Sequence, residues 1–134
     1  MIFGVGIDIA KCARFEKWLD TPGMVERFFN PKEIPQNAAA APSLTSAQKS
    51  AVLQRLAARF AAKEAFSKAL GSGLVFDLRD VFVTNAASGK PELGLEKSAL
   101  QAFKERCPQW QTAKIFVSLS HEKEYAVAQV IIEI

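Results

Sequence analysis

Asp8 stands inside the apolar run GVGIDIA, residues 4–10, and Glu64 and Lys68 stand four residues apart inside LQRLAARFAAKEAFSKALG. Both acids sit where apolar residues dominate, and a lone ionised acid in such a setting needs a partner, a cation or water. Read as a strand, the first run places Phe3, Val5, Ile7 and Ile9 on one face and Ile2, Gly4, Gly6 and Asp8 on the other. One reading ends the strand at Asp8 and makes it the N-cap of a following helix, which the local sequence alone favours. The other makes it a ligand. Glu64 and Lys68 point the same way on a helix, with Phe60 one turn before them, either as a surface pair worth a few tenths of a kcal/mol or as part of a site that small alanines let something large approach. Asp8 and Glu64 are hard oxygen donors, and two carboxylates completed by waters and a ligand's phosphates are the usual way to hold Mg²⁺. Lys68 adds a fixed positive charge. Positioning plus charge neutralisation is the chemistry of phosphoryl transfer.

A third stretch, SLSH, places Ser118 and Ser120 on one strand face, with His121 opening a turn. Small hydroxyls beside an imidazole can receive a phosphate; an ordinary strand end with a solvated histidine has the same sequence. No carboxylate is placed to make a serine triad recognisable from sequence, so protease-like chemistry is not the expectation. GVGIDI lacks the third glycine of a dinucleotide fingerprint, with Ile9 in its place. SGKP has Thr84 and Pro91 where a phosphate loop needs a glycine and a hydroxyl residue.

Positioning these groups requires a definite set of elements. The pattern predicts a strand over residues 2–9, a short helix over 11–19, and a second short helix begun by Thr21 and Pro22 and running through Phe29. IPQNAAAAPSLTS, residues 34–46, reads as a mobile loop. A long helix follows over 47–70, capped by Thr45 or Ser46 and stopped by Gly71. DVFVT is a strand, NAASGK a turn, and 91–93 begins a return strand. A helix over 95–106 precedes a C-terminal hairpin of KIFVSLS and YAVAQVIIEI. This order predicts an α+β fold, mostly antiparallel sheet with a long central helix and shorter helices packed on it.

The 134 residues fit a single domain over 1–134 with a core that needs no staples. Cys12 and Cys107 lack metal spacing and read as reduced thiols, which with no export signal gives a cytoplasmic protein as the expectation. No segment reaches transmembrane length, so no membrane partner is expected. A net charge of +3 favours an anionic partner without choosing one.

Taken in series, GVGIDI, RFAAKEAFSKALGSG, SGKP and SLSH resemble the holo-acyl-carrier-protein synthase family, the small 4'-phosphopantetheinyl transferases, from end to end and at about the family's length. The resemblance implies transfer of the 4'-phosphopantetheine arm of coenzyme A to a serine of apo-acyl carrier protein, with adenosine 3',5'-bisphosphate as the other product. It assigns Asp8 and Glu64 to Mg²⁺, and Lys68 to the pyrophosphate and leaving group. Arg59, Lys63, Ser120 and His121 fall to the coenzyme A phosphates, and Arg14 to docking of the acidic carrier protein, with Lys11 and Trp18 at helical spacing beside it. It makes Asp8 a metal ligand at a strand end, on a face that Gly4 and Gly6 leave uncrowded. The base is left open between Glu64 acting through a water and a metal-bound water.

Longer two-domain relatives carry a further acid at the position of Ala10. Alanine there, and a chain half their length, imply the small type, a homotrimer with sites between subunits. The loop over 34–46 departs from the family's more regular connection. The alternative is a non-catalytic nucleotide- or RNA-binding module suggested by the basic charge. No aromatic RNA-binding signature accompanies it, and no nucleic-acid partner is expected.

Overall fold

Alanine sets the packing at the centre of the molecule. In the computed structural model, which describes residues 1–134, the alanine-rich run forms helix α3, Ser46–Leu70, with buried residues on nearly every side. Thr45 Oγ1 accepts from the Gln48 amide at 3.1 Å and Gln48 Oε1 accepts from the Thr45 amide at 2.9 Å, a reciprocal box that satisfies two otherwise orphaned donors. At the other end Gly71 takes φ 70°, the left-handed conformation that ends a helix without a Cβ penalty. Arg106 donates to the Gly71 carbonyl there.

Against α3 lies a three-stranded antiparallel sheet in the order β1-β5-β4, made of β1 Ile2–Lys11, β4 Lys114–His121 and β5 Tyr125–Glu133. Its inner face is built from Ala126, Ala128, Val130 and Ile132 of β5, with Gly4, Gly6, Asp8 and Ala10 beside them on β1. A Cβ on Gly4 would lie 1.8 Å from the Ala69 carbonyl oxygen, and one on Gly6 would lie 1.8 Å from that of Ala65. The glycines therefore admit the helix backbone itself, not open space beside Asp8, and the uncrowded face expected from sequence is corrected to this contact. The opposite face of the sheet is open: Val5, Ile7, Ile9 and Phe116 are all exposed, Ile9 at 62%.

Two short helices, α1 Glu16–Asp20 and α2 Met24–Phe28, dock on α3 through an aromatic cluster. Phe15 lies 4.8 Å from Trp18 and 5.4 Å from Phe60, ring centre to ring centre. A separate hairpin, β2 Val81–Asn85 with β3 Pro91–Leu95, leads into helix α4, Lys97–Arg106.

The boundaries differ from expectation where tertiary bonds override local pattern. No helix begins at residue 11: β1 runs through Lys11, paired with Tyr125, and the Cys12 amide donates to Glu124 O at 2.8 Å. Residues 12–15 form a 3-10 turn instead. Thr21 does not cap α2, because its hydroxyl donates back to Lys17 O at 2.8 Å and Gly23, at φ 80°, opens the helix. The stretch over 34–46 contains a 3-10 turn, Ala38–Ser43, with Ala38 and Ala41 buried. Leu95 stays in β3 opposite Val81, so α4 starts two residues later than its apolar pattern suggested.

Candidate active site

Asp8 reaches its position because β1 alternates. Paired opposite Ala128, it faces inward toward α3 rather than out with Ile7 and Ile9. Lys68 comes from the last turns of α3, and its ammonium donates to Asp8 Oδ1 at 2.9 Å and to the Ile7 carbonyl at 3.0 Å. The Asp8 side chain is only 13% exposed, whereas that of Lys68 is 55% exposed. Glu64 lies one turn before Lys68 and is half-buried. Burial pushes the Glu64 carboxyl up, and the nearby Asp8 charge pushes it further, while Arg14 and Lys68 pull it back. The hydrogen bond to Asp8 holds the Lys68 ammonium above its usual range.

These contacts fit a hard divalent cation. Two carboxylates raise each other's cost of ionisation, and a cation between them removes that cost. No group of three or more His, Cys, Asp and Glu side chains converges anywhere, so a soft or all-protein metal centre has no ligand set. A two-carboxylate site that leaves positions for water and phosphate suits Mg²⁺.

Arg14 belongs to this neighbourhood. Its guanidinium stacks 4.7 Å from the centre of the Phe60 ring, with Phe15 and Trp18 behind it. Lys11 does not share a helical face with it, whereas the Trp18 ring lies 5.9 Å from the guanidinium. Lys11 ends β1 on the outer side of the sheet, and Trp18 is half-buried among Phe15, Phe28, Phe29 and Phe60. The helical spacing read for the three fails at Lys11, because the strand takes the residue that would have begun the helix.

A second cluster forms on another face of α3. Arg59, 6% exposed, donates to Asn85 Oδ1 at 3.0 Å, while its Nε has no partner. It lines a cavity of about 490 Å³ with Arg55, Gln54, Asn85 and His121. His121 Nδ1 lies 2.9 Å from Gln54 Oε1. Burial, then the adjacent Arg55, lowers the Arg59 pKa to about 10. No acid lines this cavity, so two guanidiniums and an imidazole face an electropositive space suited to a phosphate. Asp8, Glu64 and Lys68 are not among its walls. Five residues separate Arg59 from Glu64, a rotation of about 140° around the helix.

Two phosphate-holding assignments change. Lys63 is fully buried, with its ammonium on Glu33 and on the carbonyls of Leu78 and Val81, so it faces no ligand. Ser120 points to the outer sheet face opposite Val127, while His121, the next residue, points inward, so the two do not converge within one chain. Sequence reading passed over Arg55, Asn85 and Glu33. The four-residue spacing of Arg55 and Arg59 was the one available signal, since Asn85 and Glu33 lie far away in the chain.

Similarity to known proteins follows the same geometry. Residues 4–130 match the family model of the 4'-phosphopantetheinyl transferase superfamily. A holo-[acyl-carrier-protein] synthase of Treponema denticola is 47% identical, with 99% of each chain covered. The crystal structure of a holo-(acyl-carrier-protein) synthase from Bacillus anthracis, in complex with CoA (3',5'-ADP), is similar at a TM-score of 0.70 and 36% identity, covering 98% of this chain and 96% of that one. The enzyme from Neisseria meningitidis gives a TM-score of 0.75 at 28% identity over 99% of both chains. Its end-to-end match in sequence and fold places this chain in the 4'-phosphopantetheinyl transferase superfamily, among the holo-[acyl-carrier-protein] synthases.

Proposed function

We propose that this protein transfers the 4'-phosphopantetheine group of coenzyme A to a serine of apo-acyl carrier protein, releasing adenosine 3',5'-bisphosphate. The serine oxygen forms a bond to the phosphorus that carries the pantetheine arm, and the bond from that phosphorus to the bridging oxygen breaks. Asp8 and Glu64 would hold Mg²⁺, which neutralises pyrophosphate charge when bound. Lys68, with its exposed ammonium anchored on Asp8, follows the charge that develops on the leaving oxygen. Glu64 would take the serine proton through a water. Arg55, Arg59 and His121 hold phosphate of the coenzyme at the second cluster.

Two observations support a homotrimer with shared sites. The Asp8–Glu64–Lys68 cluster and the Arg59–His121 cavity open on different faces of one helix, and an apolar sheet face stands open to cover. Arg14 receives the acidic carrier protein at the rim of the first cluster. A cytoplasmic location suits these substrates, and no helix is long and apolar enough to cross a membrane. The non-catalytic binding module finds no support, since the relatives matched over the whole chain are named synthases.

The juxtaposition of Asp8, Glu64 and Lys68 carries this reading. Incubation with coenzyme A, Mg²⁺ and purified apo-acyl carrier protein, followed by intact mass, tests it. The carrier gains the phosphopantetheine mass only when both coenzyme and Mg²⁺ are present. An unchanged carrier mass with folded protein, coenzyme A and Mg²⁺ all present contradicts the proposal.

A further inference from the structure

Helix α3 has an unusual problem of registration. Ala57, Ala58, Ala61, Ala62, Ala65 and Ala69 are all buried, and these small side chains distinguish one rotation of the helix from another only weakly, which leaves that task to Leu56, Phe60, Phe66 and Leu70 and to its polar contacts. Yet Glu64 must face Asp8 while Arg59 faces the His121 cavity. A rotation by one residue would move either group by about 100°.

Of the three buried polar side chains on α3, Arg59, Lys63 and Ser67, Lys63 alone makes a fully buried ion pair. Lys63 is fully buried and donates to Glu33 Oε1, to the Leu78 carbonyl and to the Val81 carbonyl, which uses all three of its protons. Glu33, also fully buried, accepts from the Asn30 amide at Oε1 and from the Val83 amide at Oε2, both at 3.0 Å. The network joins α3 to the loop after α2, to the 3-10 turn over 78–80 and to β2. That strand ends in Asn85, which receives Arg59 at 3.0 Å. Lys63 stands one turn after Arg59 on its face and immediately before Glu64.

A buried ion pair of this kind adds little net stability against well-packed apolar residues, and its attested use is to fix register. We infer that the Glu33–Lys63 pair is a positioning device. It locks the rotation of α3 so that Glu64 meets Asp8 on one side while Arg59 meets Asn85 on the other. Neither residue touches substrate. The inference rests on the proposed metal role of Asp8 and Glu64.

The test compares the wild type with Glu33→Gln/Lys63→Gln, which removes both charges and keeps part of the hydrogen bonding, and with Lys63→Arg, which keeps the charge but lengthens the head. Folding is checked by circular dichroism at low temperature. Mn²⁺ affinity is then read by electron paramagnetic resonance without coenzyme, and arm transfer is read as kcat and KM. A positioning role predicts folded variants that bind Mn²⁺ at least about tenfold more weakly, with kcat down about a hundredfold and KM for the carrier protein nearly unchanged. Should the double variant fail to fold, Lys63→Arg decides alone, with Mn²⁺ binding weakened about threefold or more as the supporting result. Folded variants with wild-type Mn²⁺ affinity and kcat overturn the inference. Wild-type protein that binds Mn²⁺ but transfers no arm would instead overturn the functional reading, and the Mn²⁺ comparison would still decide the positioning role.

Discussion

The Lys68 ammonium sits 2.9 Å from Asp8 Oδ1, joining the last turn of the central helix to the first strand across 60 residues of sequence. This pair brings a strand acid and a helix cation to one point, and Glu64 completes the cluster from one turn away. Both carboxylates depend on the seating of α3 against the glycines of β1.

Asp8 and Glu64 should act as one unit. Asp8→Ala and Glu64→Ala should each lower kcat/KM for arm transfer by about a thousandfold or more, the loss of several kcal/mol of metal-derived stabilisation. The double variant should cost little beyond either single one, because residues that hold one ion are not additive. Chelation with EDTA should match these losses in the wild type. Additive losses would show that the two acids serve separate tasks.

The sign of Glu64's effect on stability is set by burial. Its carboxyl pKa is raised in the folded protein, first by burial and then by Asp8. At pH below the unfolded value both states hold the proton and Glu64 is neutral in its effect. As pH rises through the raised value the folded state bears the cost of the charge. Metal-free Glu64→Gln should therefore resist urea better than metal-free wild type at neutral pH, with the difference fading near pH ~4. A glutamine variant that is less stable at neutral pH would contradict this.

Gly6 is fixed by space. A Cβ there meets the Ala65 carbonyl oxygen at 1.8 Å, and backbone on both sides cannot yield cheaply. Gly6→Ala should cost about 3 kcal/mol in chemical denaturation. A loss under about 1 kcal/mol would mean that β1 and α3 part easily.

Arg14 should govern use of the carrier protein. Its guanidinium is held over Phe60 at 4.7 Å, at the rim of the Asp8–Glu64 cluster. Arg14→Ala should reduce kcat/KM for the carrier about tenfold, flatten its dependence on salt and leave coenzyme A affinity unchanged in titration calorimetry. An equal loss of coenzyme affinity would assign Arg14 to the nucleotide.

Much of this molecule is legible in its sequence, and the exceptions share a cause. The strand alternation that isolates Asp8, the turn spacing of Glu64 and Lys68, and the Thr45 and Gly71 caps are local signals, and all appear in the fold. The resemblance assigns Lys63 to a phosphate, and nothing local in the sequence reveals that Glu33, 30 residues away, meets it instead. The helix expected from residue 11 gave way to the ladder with β5, a pairing across more than 100 residues. Ser120 and His121 were grouped by family resemblance, although a period of two separates adjacent strand residues onto opposite faces.

Asp8 and His121 of one chain are expected to serve different copies of the site, and co-expression reads this directly. One variant carries Asp8→Ala; the other carries Arg55→Glu with His121→Glu, reversing charge in the second cavity. Each alone should be inactive. In mixed oligomers about a quarter of sites draw an intact half from each of two subunits, so about a quarter of wild-type arm transfer should return. Mixed oligomers shown to contain both variants, yet without recovered activity, would contradict the shared site and require each chain to build its own.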